Sequence, residues 1–556
     1  MIRTSLYLVF ILLASQAIFA QASFPKNWEG QFENDADLWR YATQNGKYVV
    51  GTTKKEISVI SGVTGKPLWK KTFMDIAGVK EAKSQQVIEE TETLLIISKQ
   101  KGNDELFCVD LKTGNKLWSN DKFNDINLDN LKFIEGANCY AVIQKRGIAF
   151  IDDKTGQEKG AIDGINGVIG RYVFNSATKE LILFAYQLNP FKAIGSGFKN
   201  NLICVDLNTF KTKWNTVVKG MVEIKRLAGK SFSVMDWVTV GVNKGIGASN
   251  VLVDLLVKDN KAYVIMNGLQ AFDLSNGAKL WEVEYDLSLN RGLGGASQLY
   301  NAVADPLFTN DHIYLASFEK GRDKLIKKYD IESGKLLWET PVDGRKVIIP
   351  KISIVNGMLV AQIGGFVNLQ GENNGSTFSK WEWQGPFGLK GFDAETGKIK
   401  WETEKFDDRI TNILVKNNEL YVADESQLYS INTTNGNKAF EIKLKDTKTG
   451  KPQYIFNSGE QIMILGENGL CAFNEKGSQQ YAITAKDASM NDSDLFGESL
   501  YYLGTDDEMI AVDLINGKEI GRFQFKKGYT YGIKNVGRTF IIYKDNKVTN
   551  YNVKSM

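Results

Sequence analysis

The stretch Phe392-Asp393-Ala394-Glu395-Thr396-Gly397-Lys398-Ile399-Lys400-Trp401 returns along the chain at a steady spacing, and no other feature restricts the possible folds so tightly. Aligned on its glycine, ten copies centre on Gly65, Gly114, Gly156, Phe210 (where the glycine is missing), Gly277, Gly334, Gly397, Gly436, Gly477 and Gly517, 39 to 67 residues apart. The turn-opening position holds Ser61, Asp110, Asp152, Asp206, Asp273, Asp330, Asp393, Asn432, Asn474 and Asp513. Each is a short oxygen-bearing side chain that can accept from the backbone ahead and start an Asx-type turn. The glycine then supplies the positive φ that closes a tight hairpin. Four residues later stand Trp69, Trp118, Trp214, Trp281, Trp338 and Trp401, with Phe440 and Tyr481 in two further copies. Upstream, Ile57, Leu106, Ile148, Leu202, Leu269, Ile326, Leu389, Leu428, Leu470 and Met509 form a column that never turns polar. Two residues on comes a mostly small column that includes Cys108, Cys204, Ala271, Gly391 and Ser430. An apolar run, a turn and a second run ending in a ring make two antiparallel strands. Repeated every ~40–50 residues, this is the signature of a propeller or solenoid.

The whole repeat is legible between Asn412 and Leu444: Ile413–Val415, Leu420–Ala423, Leu428–Ile431 and Ala439–Leu444 read as four strands. Four antiparallel strands per copy make a propeller blade. The expected fold is therefore all-β, about eight to eleven propeller blades filling 24–556, with one ring preferred over a division into two propellers. At the far end Tyr531–Ile533, Thr539–Tyr543 and Lys547–Val553 supply three strands, and then the chain stops. Trp28-Glu29-Gly30-Gln31-Phe32 resembles the fourth-strand stretch that begins at Trp401. The N-terminal strand is thus expected to complete the last blade and remove the open edges that invite aggregation.

Residues 1–20 read as an export signal, with Arg3 before an apolar run from Leu6 to Leu13 and small residues at Ala20 and Ala22. That run is too short to span a bilayer as a helix, and no transmembrane segment is expected. The expectation is an exported protein, periplasmic or extracellular, with envelope association open, working as a monomer. The balance of 68 basic against 65 acidic residues gives no electrostatic case for nucleic acid. Cys108 and Cys204 occupy one column of separate copies and Cys471 sits one place earlier in another, so buried free thiols are expected rather than a disulfide framework.

Four segments lengthen the repeat: Gln187–Asn200, Lys219–Asn250, Asp286–Asp305 and Gly364–Gly388. The first and fourth join second to third strands and the other two join one blade to the next, so all four should emerge on one rim. They carry Met235, Trp237, Arg291, Tyr300, Phe366, Trp381, Trp383 and Phe387 among glycines. Aromatic rings and arginine are what binding hot spots favour, and long loops on a rigid scaffold tend to carry function. Packing of these rings as local lids over the blades is the competing reading. Both stay open on sequence alone.

The Asp-x-x-Thr-Gly-Lys-x-x-Trp copy at Asp393–Trp401, with close variants at Asp110–Trp118 (Asn115 for Lys) and Asp330–Trp338 (Ser333 for Thr), resembles the tryptophan-docking motif of pyrroloquinoline-quinone-type propellers. The resemblance runs over nearly the whole chain after the leader. It implies that Trp69, Trp118, Trp214, Trp281, Trp338 and Trp401 pack flat between neighbouring blades. The ring is absent at Gly160 and Gly521, and those interfaces, with the one at Phe210, should be weaker or differently filled. The family holds quinone-dependent alcohol and glucose dehydrogenases, and non-catalytic members such as the propeller lipoprotein of the outer-membrane β-barrel assembly machinery.

The resemblance does not bring the chemistry with it. The quinone enzymes use a disulfide between adjacent cysteines over the cofactor, and no two cysteines here are neighbours. They also need a calcium held by oxygen ligands, whereas the repeated Asp residues of this chain are assigned to turns. His312 is the only histidine, so paired-histidine chemistry is excluded. The run Gly292–Gly295 lacks a phosphate-loop lysine. The leading expectation is a non-catalytic scaffold that binds a protein partner in the envelope without a cofactor. A quinoprotein oxidoreductase using pyrroloquinoline quinone with calcium, and a carbohydrate-binding propeller using Trp381 and Trp383, are the alternatives.

Overall fold

The computed structural model describes residues 24–553 apart from 101–102, 124–125, 127, 129–130, 145–146, 165–167, 187–198, 220–253, 267, 284–288, 291–297, 301–303, 320–322, 343–346, 374–375, 404–405, 407–408, 498, 526–531 and 537. The described chain is almost wholly β, in eleven antiparallel sheets that follow one another as the blades of a β-propeller. In chain order these are blade 1 (39–72), blade 2 (84–123), blade 3 (131–163), blade 4 (168–219), blade 5 (254–283), blade 6 (307–341), blade 7 (351–402), blade 8 (414–443), blade 9 (452–484), blade 10 (488–524) and blade 11 (532–552 with 26–31). Ten sheets have four strands, and the seventh carries two short extra ones. In blade 11 the N-terminal strand Lys26–Gln31 lies antiparallel on Lys547–Asn552, in the register Trp28↔Asn550 to Gln31↔Lys547, as the sequence led us to expect. Contacts divide the chain into two compact units, one of 52–57 and 68–443, the other of 58–67, 444 onward and the N-terminal residues to 51.

Middle strands read as unbroken apolar runs because both faces of each blade are covered. Leu94, Leu95, Ile96 and Ile97 are all at most 1% exposed, for example. Alternate residues of one strand therefore serve two different cores. In the larger unit, one core takes Leu95, Ile97 and Leu106 from blade 2 with Tyr140, Val142 and Ile151 from blade 3. The opposite face of blade 3 gives Ala141, Ile143 and Phe150 to a core shared with Leu181, Leu183 and Ile203 of blade 4.

Every copy of the repeated turn has the geometry its residues demand. All the turn glycines with a positive φ in the motif fall near +70°, from Gly334 at 65° to Gly477 at 80°, and Phe210 adopts the same region at 51°. In the copy at Asp110, the Gly114 N–H donates to the Asp110 carbonyl at 2.9 Å, while Thr113 donates through both N–H and hydroxyl to the Asp110 carboxylate, at 2.7 and 2.8 Å. Just upstream of the turn in blades 2, 4, 5 and 7 the ladder slips by one residue, between Cys108 and Val109, Cys204 and Val205, Ala271 and Phe272, and Gly391 and Phe392. This bulge increases local twist and sets the ring opposite the small column, as in the pairs Cys108↔Trp118, Ala271↔Trp281 and Gly391↔Trp401.

Each docking ring then reaches the turn of the following blade. The indole N–H groups of Trp69, Trp118, Trp214, Trp281, Trp338 and Trp401 donate to the carbonyls of Leu111, Asp153, Leu274, Ile331, Ala394 and Thr433, at 2.8 to 3.2 Å. Each acceptor is the residue directly after the turn-opening Asp or Asn. The ring face meanwhile lies on the turn glycine, so closely that a Cβ on Gly114 would come within 2.5 Å of Trp69. In the smaller unit Trp28 does the same, donating to Gly62 O at 3.0 Å, and Tyr481 substitutes its hydroxyl, donating to Leu514 O at 2.6 Å.

One member of the small column is a lysine. Lys328, opposite Trp338, is 1% exposed; its ammonium stands 5.6 Å from the centre of the Tyr314 ring and meets Glu395 of blade 7 at 2.8 Å. That hydrogen bond holds the Glu395 carboxyl below its usual range.

The four cysteines are buried free thiols, and burial pushes Cys108, Cys204 and Cys471 up to about 11 and Cys139 to about 12. Thiolate chemistry at neutral pH is thereby disfavoured. The short helix Phe73–Ala77, closed at its start by a reciprocal Thr72–Asp75 capping box, was not anticipated; five residues are too few to show a period.

Candidate binding rim

Blade 7 departs from the others because its second and third strands do not stop at the sheet. They run on as Met358–Asn373 and Ser376–Asp393, forming a long hairpin that contains the whole Gly364–Gly388 insertion. Where the hairpin leaves the blade the register slips between Ile363 and Gly365, with Gly364 at φ 66° and Gly365 at φ 126°. Side chains at either position would be strained, which explains the paired glycines. Buried Gln362 fixes the exit angle. Its amide nitrogen donates to Gly364 O at 2.8 Å and Thr411 O at 3.1 Å, and its oxygen accepts from Ile413 N at 3.0 Å. Gly364 N donates to Ile348 O and Phe366 N to Ile410 O, at 3.0 and 3.1 Å. The hairpin is thus stitched at its base to the connections on both sides of blade 7.

The Asp286–Asp305 insertion joins the same structure. Its Gln298–Tyr300 segment pairs antiparallel with the hairpin, Gln298 opposite Glu372 and Tyr300 opposite Gln370, and Leu289–Asn290 pairs in turn with Leu299 and Gln298. Two of the four long insertions therefore build one sheet beyond the blades. The Gln187–Asn200 segment, save its last two residues, and the Lys219–Asn250 segment, save Lys219, lie outside the described residues, and with them Met235 and Trp237; Arg291 lies outside too. Tyr300 and Trp381 are placed by backbone only, Trp381 opposite Asn368.

Three predicted rings can be followed in full. Phe366 and Trp383 are cross-strand partners whose rings stand 4.8 Å apart at 46°. Such pairs contribute roughly 0.5–1.5 kcal/mol beyond their burial. Arg409, from the blade 7–8 connection, lays its guanidinium 5.8 Å from the Trp383 ring and has Glu425 at 3.6 Å. Phe387 pairs by a backbone bridge with Phe406 and packs into the core shared by blades 7 and 8. Phe387 thus belongs to the base of the hairpin, while Phe366 and Trp383 stand at half-burial just above it. Arg409 was not singled out by sequence, since nothing in its neighbourhood marks it except its spatial meeting with Trp383. His312 opens the strand His312–Glu319, its N–H donating to Thr309 Oγ1 at 3.0 Å.

Among the described residues no three His, Cys, Asp or Glu side chains gather as a metal site would require, and no helix is long and apolar enough to cross a membrane.

The family model described as outer membrane protein assembly factor BamB, PQQ_2, matches residues 26–240 and 266–522. No curated protein matches the sequence. Among solved structures, BamB from Moraxella catarrhalis is 13% identical over 82% of this chain and 97% of its own, with a TM-score of 0.26. Quinohemoprotein alcohol dehydrogenase from Comamonas testosteroni is 11% identical over 70% of this chain and 75% of its own, at 0.33. The computationally designed Ika8 protein is 11% identical over 83% and 100%, at 0.28. None of the three reaches 0.5, so the assignment rests on the sequence model, whose two segments cover most of the chain. On that ground the chain belongs to the PQQ_2 family of β-propellers, the family described by outer membrane protein assembly factor BamB.

Proposed function

We propose that the protein is a non-catalytic, exported scaffold of the cell envelope, which binds a protein partner on the rim built by Asp286–Asp305 and Gly364–Gly388. The observation that carries this reading is the rim sheet itself: one insertion between blades 5 and 6 and another within blade 7 are held together by backbone pairing, and the second is anchored by buried Gln362. A loop that merely covered its own blade would need neither. The distal half of the second hairpin strand, 376–384, has no strand pairing on its outer side among the described residues. An open strand edge beside the Phe366–Trp383–Arg409 group offers backbone hydrogen bonds for affinity and a ring cluster for specificity, as in partners that add a strand to a sheet. Membership of a family described by an envelope assembly factor, together with the leader-like 1–20, supports export and the envelope as the place of action.

A pull-down from envelope extract tests this, comparing the wild type with a chain in which 366–386 is replaced by a two-residue turn. Loss of one specific partner is expected; equal recovery would remove the rim as the site. The oxidoreductase reading is tested separately by soaking the purified protein with pyrroloquinoline quinone and calcium. Stoichiometric uptake with turnover of an alcohol or sugar would overturn the scaffold reading.

A further inference from the structure

A second candidate site lies in the smaller unit. The first strand of blade 1, Trp39–Ala42, and the first strand of blade 11, Gly532–Val536, flank a cavity of about 370 Å³ lined by Asp37, Arg40, Lys534 and Tyr543 together with Trp39 and Tyr41. That size lies within the range of small-molecule sites. Three observations give it a chemistry. Tyr543 is 5% exposed, yet its hydroxyl has no hydrogen-bond partner among the described residues, and the same holds for the buried Nε of Arg40. A buried donor left unpaired costs free energy, so two on one cavity wall mark a place where an acceptor belongs. Burial pushes the Tyr543 phenol up, so that it remains a donor at any physiological pH, and Arg40 is the largest opposing charge on it. Lys534 adds a third donor at 6.0 Å from the Tyr41 ring, and two cations against Asp37 leave the lining net positive. Finally, Trp39 and Tyr41 stack at 5.4 Å and 19°, presenting an aromatic wall next to the donors.

We propose that Arg40, Lys534 and Tyr543 bind the oxyanion of a small ligand, a carboxylate or a phosphate, whose flat or apolar remainder lies against Trp39 and Tyr41. An oxyanion accepts from all three donors at once, and hydrogen bonds between charged groups are the strong ones.

Isothermal titration of the full mature chain with phenyl phosphate, benzoate, inorganic phosphate and benzyl alcohol tests the proposal. At least one of the two aryl oxyanions should bind, one per chain, and raise the melting temperature as mass action requires. Preference for phenyl phosphate over benzoate identifies a phosphate ligand, and the reverse a carboxylate. Inorganic phosphate should bind more weakly than phenyl phosphate, because it has nothing to set against the rings. Arg40→Gln and Tyr543→Phe should each weaken binding about ten-fold or more. Should Arg40→Gln fail to fold, Tyr543→Phe decides the matter, since it keeps the ring and removes only an unpaired hydroxyl. Failure of both aryl oxyanions to bind, benzyl alcohol binding as tightly as they do, or affinity unchanged in Tyr543→Phe would each overturn the assignment.

Discussion

The junction of blades 2 and 3 and the junction of blades 3 and 4 solve one packing problem in opposite ways. At the first, blade 2 supplies the ring and blade 3 the space: Trp118 stands opposite small Cys108, donates to Asp153 O, and lies on Gly156 of the next turn. At the second, the ring position is Gly160, facing Phe150 in place of a small residue, and the next turn carries Phe210 where glycine belongs. A Cβ on Gly160 would overlap Phe210, whose ring stands 5.6 Å from that of Phe150. Volume has therefore moved across the interface, two phenyl rings standing where the other junction has one indole. The cost is local, since Phe210 is held at φ 51°, a region that strains a bulky side chain. Interfaces of this kind demand one large ring between two sheets but not that a particular blade provide it.

The largest break in this scheme comes from removing a docking ring together with its strand. Deleting Phe24–Asn34 takes away buried Phe24, Trp28 and Phe32 and bares the edge at Lys547–Asn552. Its thermal melt should fall further than that of any single substitution, and an unchanged melt would show that Trp28 does not work as the other rings do. Next in size, Trp118→Ala should cost ~3–5 kcal/mol in a denaturant titration, the range for emptying a buried ring site. Gly160→Ala, small as it is, should also destabilise because Phe210 occupies the space; a neutral result would mean that the junction of blades 3 and 4 is loosely filled.

Converting one junction into the other isolates the exchange between Gly160 and Phe210. Gly160→Trp alone should lose roughly 1–3 kcal/mol by overpacking against Phe210 and Phe150. Phe210→Gly combined with Phe150→Cys should also lose stability, by leaving a cavity. All three together restore the arrangement of Trp118, Cys108 and Gly156, and should be more stable than the sum of the separate losses predicts. Strict additivity would show that Gly160 and Phe210 are not partners.

Much of this was legible in the sequence because the repeat fixes it locally. The positive φ of each turn, the Asp carboxylate that accepts from it and the ring four residues on all lie within one hairpin, and each column could be read without knowing its neighbours. The exchange between Gly160 and Phe210 could not, since the two meet only when consecutive blades are stacked, and in one dimension they look like two unrelated defects. Insertion length marked the rim, and Phe366 and Trp383 were visible as rings in a glycine-rich stretch. The pairing of Gln298–Tyr300 with the hairpin was hidden, because a strand of three residues carries no periodic signal. Arg40 and Tyr543 come from opposite ends of the chain, and their meeting follows from the N-terminal strand completing blade 11.

The smallest expected effect concerns the turns on which the rings dock. At Asp206 and Asp393 a backbone N–H, of Asn208 and Thr396 respectively, holds the carboxyl below its usual range; at Asp273 and Asp330 the hydroxyls of Ser275 and Ser333 do so. A carboxyl depressed in the folded state contributes stability that is complete above its unfolded value of about 3.9 and is lost as pH falls through the folded one. The melting temperature should therefore stay flat above about pH 5 on account of these groups and decline below about pH 4. The turns opened by Ser61, Asn432 and Asn474 have no carboxyl to titrate there. Replacing the four Asp residues by Asn, which keeps an acceptor oxygen in each turn, should flatten the acid limb while changing the melt near pH 7 only slightly. If the limb keeps its full slope, acid sensitivity resides outside these four carboxyls, and the rings that dock on those turns rely on a geometry that glycine and backbone hydrogen bonds maintain without help from charge.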